Sequence, residues 1–188
     1  MFSWFFMSAL YMQLVLNYDP LKVGLAFIPA NLIMAVFSIW LSAKMVNRFG
    51  IKASLTTGLA LCGAGLLLFA RVPTVGSFLV DILPPMMLMG FGAGISFNPM
   101  LLAAMNDVPE HESGLASGIV NTSFMMGGAL GLAMLASIAS SRTTYVLAKG
   151  AAQADALTSG YDVAFLIGGI FALCASALIG FALKNKGL

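Results

Sequence analysis

The chain of 188 residues carries nine Lys and Arg, seven Asp and Glu and one His, and 60% of it is apolar against 9% charged. A soluble domain needs roughly 25% charged residues to keep its surface wetted, so a compact water-soluble globule is excluded. So are a disordered chain, which needs low hydrophobicity, and a nucleic-acid binder, which needs a basic footprint.

Charge is absent from residues 1–18, 23–43, 53–70, 82–106, 113–141 and 163–183. About 20 helical residues cross a hydrocarbon core roughly 30 Å thick. Six runs of that size predict an all-α membrane protein of six transmembrane helices, over 2–16, 23–43, 53–70, 82–105, 114–140 and 162–183. A membrane barrel would instead show alternating segments of about ten residues.

The first span, Phe2 to Leu16, covers only about 22 Å at 1.5 Å per residue. Met1 has no basic segment before it and no small-residue cleavage site follows, so a removable signal peptide fits poorly. The first helix is therefore expected to have lost its beginning. Tyr11 is a candidate for a cavity wall, and Gln13, near the outer end, for an interfacial anchor.

The second span contains Pro29 and Asn31, and the fourth contains Asn98-Pro99. A proline inside a helix removes a donor and frees a carbonyl, and in lipid the freed groups need protein or water partners. Asn31 and Asn98 either satisfy such kinks or face an aqueous cavity. Helical spacing puts Asn98 on one stripe with Met87, Gly90 and Gly94. Between the second and third spans Lys44, Arg48 and Lys52 form the densest basic cluster.

In the fifth span Gly114, Ser117, Gly118, Asn121 and Gly128 share one helix face. Gly90/Gly94, Gly114/Gly118 and Gly127/Gly131 are small-xxx-small pairs, expected to let backbones approach where no hydrophobic force drives helices together. Asn121 and Thr122 need a partner or a cavity, since an amide in hydrocarbon is costly. Cys62 and Cys174 lie in apolar runs and read as small hydrophobes. The methionines read mostly as lipid-facing or core filler.

Six spans place both termini on one side of the membrane with Lys44, Arg48, Lys52, Lys184 and Lys186. Lys22, Arg71, Arg142 and Lys149 fall on the other. The denser cluster predicts that the first side is cytoplasmic.

No Asp, Glu, Lys, Arg or His stands near the centre of a span, Asp81 being at the rim of the fourth. A proton relay built on buried ionisable groups would have to lie elsewhere. An enzyme is not expected. Ser117 has no facing base, because His111 is at the mouth of the helix. Glu110, His111 and Glu112 lack zinc-ligand spacing, and neither metal nor cofactor is expected.

These residues together resemble the C-terminal half of a major facilitator superfamily transporter of the fourteen-span drug:proton antiporter family. Four stretches carry the resemblance. Tyr11-Met-Gln13 through Tyr18-Asp-Pro20 and Gly24-Leu-Ala-Phe-Ile-Pro29 is similar to a helix junction of that family. Asn47-Arg48-Phe49-Gly50-Ile51-Lys52 is similar to the second copy of the loop motif G-x-L-A-D-R-x-G-R-K. Pro109-Glu-His-Glu-Ser-Gly114-Leu-Ala-Ser-Gly118, continuing through Asn121-Thr-Ser123 to Gly131, resembles its eleventh helix (of twelve core helices). Gly160-Tyr161-Asp-Val-Ala-Phe165 resembles the start of its last. The motif's Asp is Asn47 here and its second Arg is Ile51, and Phe124-Met125 stands where relatives often carry a polar pair.

The resemblance implies a bundle of inverted three-helix repeats, one of two that enclose a substrate at the midplane and rock against each other. It implies a hydrophobic or cationic small-molecule substrate, a missing N-terminal half of six or eight helices as partner, protons moved by that half, and residence in the cell membrane with both termini cytoplasmic. It puts Asn47, Arg48, Gly50 and Lys52 in a cytoplasmic loop. Two other readings stay open: a non-transporting membrane protein that binds another membrane component through its small-residue faces, and a half-transporter working as a homodimer.

Overall fold

The computed structural model describes residues 2–105 and 108–182, all in helices and short connections. Helix α1 (Phe2–Leu14) is followed by α2 (Pro20–Ala26) and α3 (Ile28–Val36). A π-helical turn at Phe37–Leu41 then leads into α4 (Ser42–Phe69). A second π turn at Phe78–Ile82 precedes α5 (Leu83–Met105), and a 3-10 turn at Glu110–Glu112 precedes α6 (Ser113–Ala148). The last helix is α7 (Gln153–Ala182).

Local signals explain several boundaries. Pro20 starts α2 at the position where its missing N–H costs nothing, and the Asp19 carboxylate accepts from the Leu21 N–H at 3.1 Å. The second helical stretch therefore begins at Pro20 rather than 23. Gly150, at φ 85°, closes the end of α6, a left-handed position that glycine occupies without Cβ strain.

Among the described residues four stretches are long and apolar enough to cross a membrane: Pro20–Phe69, Phe78–Met105, Ser113–Ala148 and Gln153–Phe181. Pro20–Phe69 holds both the second and the third expected span. The expected connection over 44–52 is helical, broken at Gly50 alone, which has φ 81° and ψ 168°. The 13 residues of α1 reach about 20 Å.

The expected connection over 141–161 is corrected more strongly. Helix α6 continues to Ala148 and α7 starts at Gln153, so only 149–152 are outside helix. Arg142 and Lys149 lay their cations over the Tyr145 ring, at 5.7 and 4.3 Å from its centroid. Arg142 therefore stands inside a helix, whereas Lys149 is the first residue past its end.

The core forms where α1 runs through the bundle. Trp4, Met7, Tyr11 and Met12 of α1 are buried with Val23, Ala30, Phe69, Met86, Met89, Ala164 and Phe165. Phe69 and Phe165 stack at 5.1 Å, joining α4 to α7. Helix α5 is packed on two sides, by α3 and by α4, whereas Ala139 is the one buried residue of α6 among those described.

The Tyr11 hydroxyl donates to the Pro73 carbonyl at 2.7 Å, and Thr74 Oγ1 meets Asp155 Oδ1 at 2.9 Å. The ends of α1 and α4 and the start of α7 therefore lie together at one end of the bundle. Lys184, Lys186 and Asp107 lie outside the described residues.

Candidate functional site

A cavity of about 650 Å³, partly open, lies within the bundle. Its walls come from α1, α4, α5, α6 and α7, with no contribution from α2 or α3. Trp4, Met7, Met89, Ala93, Ala164 and Phe165 form buried wall, while Phe97, Met100, Met134 and Phe171 stand further out. Three rings close one side. Phe124 of α6 lies 5.7 Å from Phe2 of α1 and 6.1 Å from Phe97 of α5.

The polar atoms of this wall are few. Ser96 Oγ donates to the Gly92 carbonyl at 2.7 Å, and the Cys62 thiol faces the Met89 carbonyl at 3.9 Å. Ser3 and Ser123 complete the hydroxyls. No charged side chain lines the cavity, and among the described residues no group of His, Cys, Asp and Glu could hold a metal ion.

None of the five residues expected to line a cavity borders this one. Tyr11, 2% exposed, is a brace to Pro73. Asn98 Nδ2 donates to the Ser38 carbonyl at 2.8 Å and meets Ser38 Oγ at 3.1 Å. Ser38 lies in the first π turn, so the amide beside Pro99 ties α5 to that turn. Asn31, Asn121 and Thr122 are exposed, and Thr122 borders a shallow groove on α6 with Gly114, Leu115, Gly118, Ile119 and Ser123.

Removing the Asn98 amide leaves the Ser38 groups unpartnered in a helix interface. Asn98→Ala is expected to lower stability by about 1 kcal/mol, the scale of interhelical hydrogen bonds in membranes. The thermal midpoint of the detergent-solubilised protein measures it, and an unchanged midpoint would remove this tie from the account.

The glycine pairs divide sharply. A Cβ on Gly90 would stand 2.6 Å from the Ala30 carbonyl oxygen and one on Gly94 2.8 Å from that of Met34, so this pair seats α5 on α3. Gly114, Gly118 and Gly127 have nothing within 4 Å, and Gly131 has only Ser3 Oγ at 3.8 Å. Within this chain these four pack against no helix. Gly127 and Gly131 instead border the cavity.

Spacing did not single out Gly58, Gly63, Gly92 or Gly169, where a Cβ would meet a neighbouring helix at 2.6–2.9 Å. Nor did it single out the aromatic start of α1, whose Phe2 and Trp4 form cavity wall. The run Met-Phe-Ser-Trp-Phe-Phe was the available signal.

In the basic segment, Asn47 and Arg48 are exposed, and Lys52 and Gly50 are half-buried. The Arg48 guanidinium lies over the Phe49 ring at 5.5 Å and the Lys44 ammonium over Trp40 at 5.7 Å.

Long apolar helices, packed glycine seams and an uncharged chamber define the class as a multi-pass, all-helical membrane protein. The family follows from the sequence itself. The profile of the Major Facilitator Superfamily matches residues 1–132, and the chain belongs to that family, whose members are transporters rather than enzymes.

Among curated proteins the chain is 33% identical over 170 residues to the puromycin resistance protein pur8 of Streptomyces alboniger, covering 87% of this chain and 34% of that protein. It is 30% identical over 175 residues to the cephamycin export protein CmcT of Amycolatopsis lactamdurans, covering 93% of this chain and 34% of the relative. The lincomycin resistance protein of Streptomyces lincolnensis is 30% identical over 134 residues, 71% of this chain and 27% of the relative. The chain thus spans about a third of the length of the curated relatives it matches.

Proposed function

We propose that this chain is the C-terminal six-span bundle of a proton-coupled exporter of hydrophobic, often cationic, small molecules, working by alternating access in the cell membrane. Family membership supports transport, and the names of the relatives, which concern puromycin, cephamycin and lincomycin, support export of drug-sized molecules. The six spans of this reading are α1, the two parts of Pro20–Phe69 on either side of Gly50, and α5, α6 and α7.

The observation that carries the reading is the open polar stripe on α6. Asn121 and Thr122 are exposed in the first third of a helix of which the structure buries only Ala139, and Gly114 and Gly118 beside them meet nothing. An exposed amide at membrane depth is costly against lipid but suits a wall that faces a second bundle and a shared, wetted cavity. Asn31 on α3 is exposed in the same way.

The partner in this reading is an N-terminal half of six or eight helices. In this reading that half also moves the protons. Both termini are cytoplasmic, on the side of Lys44, Arg48 and Lys52.

Efflux of a fluorescent hydrophobic cation such as ethidium tests the reading. Cells making only this chain are expected to retain dye like the empty-vector control. Cells that also make a matching N-terminal half are expected to extrude it, and extrusion is expected to stop when the proton gradient is collapsed. Extrusion by the chain alone would overturn the two-bundle reading.

A further inference from the structure

We propose that the cavity enclosed by α1, α4, α5, α6 and α7 is a binding site for a hydrocarbon chain, occupied by the acyl tail of a membrane lipid. The cargo of an exporter built from two bundles would bind between them. This cavity lies inside one bundle, and its own walls select its occupant.

Its size excludes an empty state. At about 650 Å³ it is several times larger than the apolar cavities of ~150 Å³ that already take up benzene, and it falls within the range of ligand pockets. Water does not fill it well either, since each molecule needs two to four polar partners. The wall hydroxyl of Ser96 is already spent on the Gly92 carbonyl, and the other walls are Phe, Met, Leu, Ala and Gly with few exceptions.

Charge excludes a further class of occupant. No carboxylate or cation borders the space, so a charged molecule would lose its hydration there without compensation. What remains is an uncharged apolar body. Met7, Met89, Met100 and Met134 are flexible enough to mould themselves to a chain of variable shape. Four of the five wall helices, α4 to α7, belong to stretches long and apolar enough to cross a bilayer, and acyl tails are the apolar molecules that surround such helices.

Gly127 and Gly131 keep the α6 side of the chamber open. Both border it, and a Cβ at either meets no atom closer than 3.8 Å. A larger side chain can therefore enter the chamber from α6 without pushing backbone.

The two tryptophans, Trp4 and Trp40, supply the readout. Trp4 is 2% exposed and forms cavity wall, whereas Trp40 is 76% exposed. The 188-residue chain carrying Trp40→Phe is reconstituted into phosphatidylcholine bilayers with plain or dibrominated acyl chains. Bromine quenches indole only at short range.

Trp4 is expected to lose about half or more of its emission in the brominated bilayer, because a pocket of this kind touches most of its ligand's surface. Gly131→Leu, or Gly127→Leu should the first variant fold poorly, is expected to restore most of that emission while circular dichroism stays unchanged. Unquenched Trp4 in the brominated bilayer, or quenching that survives in a well-folded filled variant, would overturn the proposal. Relief of quenching by added ethidium would also overturn it, by assigning the cavity to transported cargo. Failure in any of these ways leaves the export reading intact, since dye efflux tests that separately.

Discussion

Gly92→Leu is expected to stop the bundle from assembling, and the minimal change Gly92→Ala to destabilise it by about 1–3 kcal/mol, the range for overpacking a close contact. A Cβ at Gly92 would stand 2.6 Å from the Gly58 carbonyl oxygen, 2.7 Å from Cys62 Sγ and 2.8 Å from the Cys62 amide nitrogen. Two of these three atoms belong to backbone and cannot swing aside. The clash is also reciprocal, because a Cβ on Gly58 would lie 2.7 Å from Ser96 Cβ and 2.8 Å from the Gly92 oxygen. Helix α5 cannot retreat from α4, since Gly90 and Gly94 hold its other side against Ala30 and Met34. In lipid this loss is not offset by apolar burial, because the separated surfaces simply meet acyl chains.

The control is Gly127→Ala. That position has open space around it, and alanine is favoured over glycine in a helix by about 0.8–1.0 kcal/mol. It is expected to be neutral or slightly stabilising. Monodisperse yield in detergent and the thermal midpoint compare the two variants, and equal behaviour would refute the view that α4 and α5 meet through bare backbone.

The contrast between Gly92 and Gly127 also marks what could be read in advance. A four-residue glycine repeat says that a helix face is smooth, and Gly90/Gly94 and Gly114/Gly118 look alike on that criterion. Which smooth face another helix occupies is a tertiary fact. The α4–α5 seam escaped because its glycines, Gly58 and Gly92, stand on different helices and are spaced four residues from serines, Ser54 and Ser96, rather than from other glycines.

Asn98 shows the same limit from the polar side. Its amide and the neighbouring Pro99 were legible, but its partner, Ser38, lies 60 residues away, in a π turn that no local pattern announces. The long helices were legible because hydrocarbon tolerates so little charge. The fourth span, expected over 82–105, corresponds to α5 at Leu83–Met105. That logic failed for 141–161, where α6 runs on to Ala148 with Arg142 inside it and Lys149 just past its end, both cations resting on Tyr145.

The break between the second and third expected spans depends on one residue. Gly50→Ala is expected to cost about 1–3 kcal/mol, the range for a side chain forced into a sparsely populated backbone region. The cause would be purely conformational. At φ 81° and ψ 168° Gly50 occupies a region closed to residues with a Cβ, while nothing lies within 4 Å of where that Cβ would be. Asparagine separates this explanation from an ordinary left-handed turn. It tolerates left-handed helical geometry near ψ +47°, far from the ψ seen here, so Gly50→Asn is expected to be about as damaging as Gly50→Ala. Rescue by asparagine, measured as a thermal midpoint close to that of the unmodified chain, would show that the turn is a left-handed one. Equal loss in both variants would mean that the chain turns between Lys44 and Lys52 only because position 50 has no side chain.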